Sequence, residues 1–143
     1  MNHSITPMLK KYFSHYLPVQ KGLSINTVLA YRDAVKLLLR HTADTLKHSV
    51  DQLDTEQITE SVVLDFLDSI EKDGCKISTR NARLAAIRGL FAFIAREEPV
   101  LTEQCQLVRS IPLKRTEYRT VEYLKEDEMK AVLNAVDINS RTG

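Results

Sequence analysis

The chain has 143 residues, with 20 Lys+Arg against 19 Asp+Glu for a net charge of +1, 4 Gly, 4 Pro, 2 Cys and no Trp. That length fits one ordinary domain, or a small domain with part of another, while the low Gly and Pro content excludes collagen-like and low-complexity chains and the 43% hydrophobic content excludes wholesale disorder. A net charge so near zero argues against a nucleic-acid binder, whose usual footprint is a basic excess, but a sum conceals its distribution along the chain.

Helical periodicity dominates. Thr6 is expected to cap a first helix with Pro7 at its first position. Met8, Leu9, Tyr12, Phe13, Tyr16 and Leu17 form its buried stripe, and Pro18 and Gly22 end it. Ser24 is expected to cap a second helix running to about residue 42, with Val28, Tyr31, Val35, Leu38 and Leu39 inward. A polar connector follows over 48–55. Thr59 suits the N-cap of a third helix, with Ile58 and Val63 as a hydrophobic staple; Val63, Phe66, Leu67 and Ile70 face inward, and Gly74 suits the stop. Ser78 is expected to cap a fourth helix whose core side is Leu84, Ile87, Leu90, Phe91 and Ile94, closed by Glu97-Glu98-Pro99. A short helix over 102–109 ends at Ile111-Pro112. Periodicity then disappears over 113–123, and a last helix is expected over about 126–136, with Met129, Val132, Leu133 and Val136 apolar. The expected architecture is all-α: a compact bundle of four to five helices over 4–112, a linker over 113–123, and the start of something further over 124–143. The weak strand signal is confined to 118–123.

Divided at these boundaries, residues 1–50 carry 7 Lys/Arg and 2 Asp/Glu, 51–73 carry 1 and 8, 74–120 carry 9 and 4, and 121–143 carry 3 and 5. The blocks are therefore +5, −7, +5 and −2. On helix two, Arg32, Lys36 and Arg40 recur every fourth residue. Helix four carries Arg80, Arg83, Arg88 and Arg96, with Lys76 before it. Ser24, Asn26 and Thr27 stand at the start of the one, and Ser78, Thr79 and Asn81 at the start of the other. A helix start presents unpaired N–H groups and partial positive charge, so Arg and hydroxyls there suit phosphate, and Arg or Asn also read base edges. One side of helix four is small: Ala82, Ala85, Ala86, Gly89 and Ala92. Each feature has a plainer reading. A basic stripe is usually a solvated face, an Ala/Gly stripe is usually a helix–helix contact, and an acidic helix three neutralises basic neighbours by packing beside them.

Catalytic motifs are missing. There is no G-x-x-x-x-G-K-[ST] loop, no G-x-G-x-x-G and no H-E-x-x-H. His3, His15, His41 and His48 form no i, i+4 pair and are expected at or near the surface. Cys75 and Cys105 are isolated and expected as free thiols. Tyr12, Tyr16 and Tyr31 lie on apolar faces and are expected in the core. No cofactor, metal or small-molecule substrate is expected. The start, Met1-Asn2-His3-Ser4, has no basic and apolar leader pattern, and no apolar run approaches the ~20 residues that span a bilayer. A soluble, cytoplasmic protein without a membrane partner is expected.

Three segments together resemble the tyrosine recombinases, the phage integrase family. Residues 22–33, GLSINTVLAYRD, resemble the pattern that opens that family's second helix. Residues 78–94, STRNARLAAIRGLFAFI, resemble its fourth helix. Residues 123–133, YLKEDEMKAVL, are similar to the entry into its catalytic domain, although Lys125 stands where a Ser or Thr is usual. The resemblance covers about residues 6–137 and implies a SAM-like core-binding domain that forms half of a clamp on double-stranded DNA. It implies that Asn26, Thr27 and Arg32, then Thr79, Arg80, Asn81, Arg83 and Arg88, lie on the DNA-facing side, and Lys36 of the basic stripe on helix two is expected to bind DNA with them. Lys76, Lys114 and Arg115 would then be backbone contacts. The family's catalytic Arg, Lys, His-x-x-Arg pair, further His or Trp and nucleophilic Tyr have no match here; Arg141 stands too early. The chain is thus expected to be an amino-terminal piece or truncated product that binds DNA without catalysis, with other recombinase subunits as further partners. The alternative is a helical interaction module or truncated regulator acting on a full-length recombinase, through the Met8/Tyr12/Tyr16 helix or the 102–109 helix.

Overall fold

The computed structural model describes residues 3–115. Among them are five α-helices and no strand: α1 (Ile5–Lys11), α2 (Ile25–Leu46), α3 (Glu60–Lys72), α4 (Ile77–Glu97) and α5 (Thr102–Arg109). The linker beyond Arg115, the expected strand and the expected last helix lie outside the described residues.

The first helix differs from expectation at both ends. It begins at Ile5, with Ser4 rather than Thr6 in the cap position and no side-chain cap. Backbone replaces the missing cap: the Ile5 N–H donates to the Leu53 carbonyl (3.2 Å), and the Thr55 N–H donates to the His3 carbonyl (2.7 Å). Pro7 falls at the third helical position, where an N–H would lack an intrahelical acceptor anyway. At its far end the winding does not stop at Pro18. It continues as a π-helical stretch, Tyr12–Gln20, that contains the proline. Pro18 removes one donor from the ladder, and the wider winding carries the Lys21 N–H to the Tyr16 carbonyl five residues back (2.9 Å). Gly22 then turns the chain at φ +64, a left-handed conformation that glycine adopts without a Cβ clash.

Helix α2 starts as expected: Ser24 Oγ accepts from the Thr27 N–H. It runs past residue 42 because Thr42 is accommodated in the core, its hydroxyl donating to the Leu38 carbonyl (2.9 Å), and Ala43 prolongs the buried face. The connector is less polar in structure than in composition. Two 3-10 turns, Val50–Gln52 and Thr55–Gln57, fully bury Leu53 and Thr55. Thr59 caps α3 by accepting from the Val62 N–H, and Val63, Phe66 and Leu67 are buried. Gly74, at φ +102, follows α3 as expected.

Helix α4 is the centre of the molecule. Leu84, Ile87, Leu90, Phe91 and Ile94 are all fully buried. Ser78 is not its cap, however. The helix begins at Ile77, two residues earlier than a Ser78 cap would place it, with Lys76 in the cap position and no capping side chain. Gly89 lets the first segment come close: a Cβ there would lie 3.1 Å from the Tyr12 hydroxyl and 3.6 Å from the Tyr31 ring. Tyr12 is buried and stacks on Tyr16 (5.7 Å between centroids) beside Phe93 (5.1 Å). Tyr16 and Tyr31 are half-buried against the same core. Helix α5 packs on α4 and buries Cys105 and Val108. Gln104 ties it to the connector, its amide nitrogen donating to the Thr55 (2.8 Å) and Ile58 (2.9 Å) carbonyls. Both cysteines are free, and burial pushes the Cys105 thiol up to about 11.

Candidate nucleic-acid interface

Helices α2 and α4 pack side by side, and the seam between them is open at the surface. A groove of about 310 Å³ is lined by Ala30, Asp33 and Ala34 of α2 and by Thr79, Ala82, Arg83 and Ala86 of α4. It adjoins a wider one of about 690 Å³, where Thr79 and Arg83 recur with Lys76, Gly74 and Cys75. Arg83 and Thr79 thus stand at the middle of this surface. The small stripe of α4 has two roles: Ala86 is buried, whereas Ala82 and Ala85 remain exposed. Opposing alanines Ala30 and Ala34 keep the seam shallow enough for a partner surface to reach Arg83.

The free cations are distributed unevenly. Among the described residues, Arg32, Lys36, Lys76, Arg83 and Arg88 have no carboxylate within 4 Å, unlike Lys11 (2.6 Å from Glu97). Asn26, Arg32, Lys36, Lys76 and Thr79 are exposed; Arg83 and Arg88 are half-buried. Thr27 is half-buried, and its hydroxyl accepts from Ser24 (3.2 Å). Helix geometry separates them further. Residues on a helix turn by about 100° each, so Arg32 lies about 160° from both Ala30 and Ala34 and faces the flank remote from α4. Likewise Arg88 lies about 140° from Arg83 and faces α5 rather than the α2 side.

Three of the residues expected to face DNA have a different employment. Arg80 is 8% exposed and turned inward. One guanidinium nitrogen donates to Asn81 Oδ1 (2.9 Å) and to the Pro112 carbonyl (3.5 Å), and the buried Nε, without a hydrogen bond, lies 3.8 Å from Glu71 Oε1. Asn81 grips the outgoing chain at two points: Oδ1 accepts from the Lys114 N–H (2.8 Å), and Nδ2 donates to the Lys114 carbonyl (2.7 Å). The side chain therefore imitates a neighbouring peptide group. Lys114 Nζ donates to both carboxylate oxygens of Glu71 (2.9 and 3.0 Å). Together these residues dock the exit segment, Pro112 to Lys114, onto the end of α3 and the start of α4. Arg80 is accordingly corrected from a surface contact to a buried pin, because its guanidinium is the group that closes this junction. These contacts span 32–43 residues of sequence and leave no trace in local periodicity.

Acidic α3 behaves partly as a neutralising neighbour. Glu71 takes Lys114, and Asp65 takes His41 (2.9 Å), while Asp68 stays exposed. Among the described residues no group of three or more His, Cys, Asp or Glu is arranged to hold a metal ion, and no helix is long and apolar enough to cross a membrane. On the first helix Tyr12 is buried, whereas Met8 and Tyr16 are half-buried and pack against the core with one side.

Comparison with known proteins adds an independent line. The family model described as phage integrase, N-terminal SAM-like domain, matches residues 10–98. Two curated proteins from Sinorhizobium fredii (strain NBRC 101917 / NGR234) are similar over most of the chain. "Putative integrase/recombinase y4rD" is 35% identical over 132 residues, covering 92% of this chain and 47% of its own length. "Putative integrase/recombinase y4rC" is 33% identical over 141 residues, covering 98% and 42%. The chain thus spans about half the length of the curated relatives it matches. No solved structure matches it.

Proposed function

This chain belongs to the phage integrase family through its N-terminal SAM-like domain, and from that premise we propose that it is the DNA-binding, core-binding part of a site-specific tyrosine recombinase. The α2–α4 seam faces the duplex. Thr79 and Arg83 look into the major groove, whose width of about 12 Å admits one helix. Asn26 engages it from the start of α2, Lys76 and Arg88 meet phosphates on either side, and Arg32 and Lys36, on the flank of α2 remote from α4, add positive charge outside the seam. Arg115 continues this track beyond the docked exit segment. The catalytic residues of that family have no match in this sequence, and in this reading the domain acts by binding DNA rather than by cleaving and rejoining strands. Thr27, Asn81 and Lys114 contribute chiefly by holding the helix start and the exit segment in place.

The observation that carries this reading is Arg83: a cation without an ion-pair partner among the described residues, half-buried at the centre of an open seam lined by alanines of both helices. Its test is a salt titration of binding to duplex DNA. Neutralising several phosphates makes the affinity fall steeply, with a log–log slope of roughly −0.9 per phosphate contacted; four to eight contacts are expected, on the order of −4 to −7 in slope. Binding that ignores salt, or none at low salt, contradicts the proposal.

One observation favours a second reading. Val100 is 75% exposed and Leu107 is 49% exposed, and they share a cleft of about 400 Å³ with Thr59 and Glu60. This face suits a protein partner such as another recombinase subunit. Co-elution with a full-length recombinase in the absence of DNA, lost in Leu107→Asp, would support it.

A further inference from the structure

On the far side of α4 from the seam, a separate cleft of about 470 Å³ opens between α4 and α5. Two arginines from different helices line it, Arg88 and Arg109, together with Gln106, Thr102 and Ser110. No carboxylate lines it, and neither guanidinium makes a hydrogen bond or ion pair among the described residues. The two hydroxyls are already committed: Thr102 donates to the Pro99 carbonyl (2.6 Å) and Ser110 to the Leu107 carbonyl (2.8 Å). The donors left for a ligand are therefore two guanidiniums and one amide. They suit a tetrahedral oxyanion, since guanidinium forks match phosphate oxygens in pairs.

We propose that Arg88, Arg109 and Gln106 clasp one backbone phosphodiester of the duplex, at the edge of the groove that the α2–α4 seam enters. This rests on the DNA-binding reading above and gives α5 a part in it. The geometry is consistent with one helix serving two tasks. Arg83 and Arg88 lie on different sides of α4, about 7.5 Å apart along the axis at about 1.5 Å per residue. A helix seated in a groove meets bases with one side and a bordering phosphate strand with another. Packing of α5 on α4 sets the spacing of the two arginines, so the clasp is built from elements fixed by Cys105 and Val108 in the core.

The test uses the full chain and a mixed-sequence duplex of about thirty base pairs, with a salt titration for each variant. Arg88→Ala and Arg109→Ala each lower the magnitude of the salt slope by about 0.9. The double variant lowers it by the same amount, because both residues hold a single phosphate. Each single variant weakens binding about three- to tenfold, equally on duplexes of different sequence, as expected of a phosphate contact. Arg109→Lys, which keeps the charge, restores the slope. Circular dichroism verifies that each variant is folded, and Gln106→Ala, at an exposed position, gives a weaker loss without touching either charge. If the wild type binds with a salt slope that none of these variants changes, the clasp is wrong, and with it the phosphate contact given to Arg88, while the reading of the α2–α4 seam through Thr79 and Arg83 stands. If the wild type does not bind the duplex, both fail. A second arm adds inorganic phosphate at matched ionic strength. Perturbation of Arg109 and Gln106 amides by inorganic phosphate, with duplex slopes unaltered in the variants, assigns the cleft to free anions and overturns the duplex clasp.

Discussion

Replacing Asn81 by alanine should undock the exit segment while leaving the helical bundle intact. The side chain makes two hydrogen bonds to the Lys114 peptide, at 2.8 and 2.7 Å, and also accepts from Arg80. A net value of about 0.5–1.5 kcal/mol for each lost bond to Lys114 gives a local cost of about 1–3 kcal/mol. That corresponds to about a 5- to 150-fold rise in the population of the undocked segment. Global stability should change less, because alanine in a helix is better than asparagine by roughly 0.6 kcal/mol. Amide hydrogen exchange separates the two effects. The Lys114 amide should exchange faster by that factor, while Leu90 and Ile94 amides in α4 keep their rates. Asn81→Asp retains the acceptor and loses the donor, so it should fall between. An unchanged Lys114 rate, or equal acceleration throughout α4, would refute the assignment of Asn81 as a local clamp.

Gly89→Ala gains roughly 1 kcal/mol of helix propensity but crowds the Tyr12 hydroxyl at 3.1 Å, which its aromatic neighbours hold in place. Thermal denaturation should show net destabilisation of about 0.5–1 kcal/mol, reversed to a gain when Tyr12→Phe removes that oxygen; destabilisation persisting in the double variant would exclude this contact as the cause. Ser24→Ala removes the only side-chain cap of α2 and should cost about 1 kcal/mol in urea unfolding, whereas Ser78→Ala, lying inside α4, should cost less than half as much. Acid should destabilise the fold. Glu56 is raised by desolvation but lowered further by its hydrogen bonds to His3, and Glu97 is lowered first by its bond to Lys11. Both carboxyls lie below the usual 4.5, so their contribution is complete above that pH and is lost as pH falls through the folded values. Glu56→Gln should flatten this acid limb in a pH series of unfolding midpoints; an identical limb would show that Glu56 is not its source.

Much of the bundle is legible in the sequence because its determinants are local. The Ser24 and Thr59 caps stand directly before the apolar rows of α2 and α3, and the buried face of α4 appears at helical spacing in the sequence itself. The departures are tertiary in origin. Ser4 replaces Thr6 at the start of α1 because a backbone pairing with residues 53–55 supplies partners that no capping side chain advertises. The winding passes Pro18 because a π-helical geometry tolerates the missing donor. Arg80 and Asn81 resemble surface readers in sequence, since they are polar and follow a helix start. Their partners at Pro112 and Lys114 lie more than thirty residues away. Arg109 carries no local signal, because only the packing of α5 on α4 brings it beside Arg88. Charge blocks identify which helices are basic, but helical phase, not block charge, decides which cations share a surface.

The most direct test of DNA binding through the α2–α4 seam is amide chemical-shift mapping of the full chain titrated with duplex DNA. Shifts are predicted to concentrate on Asn26, Lys76, Thr79 and Arg83, with a second set at Arg88, Gln106 and Arg109, and quiet amides along α3 from Glu60 to Glu71. Shifts centred instead on α3 or on Val100 and Leu107, or no shifts at low salt, would contradict it.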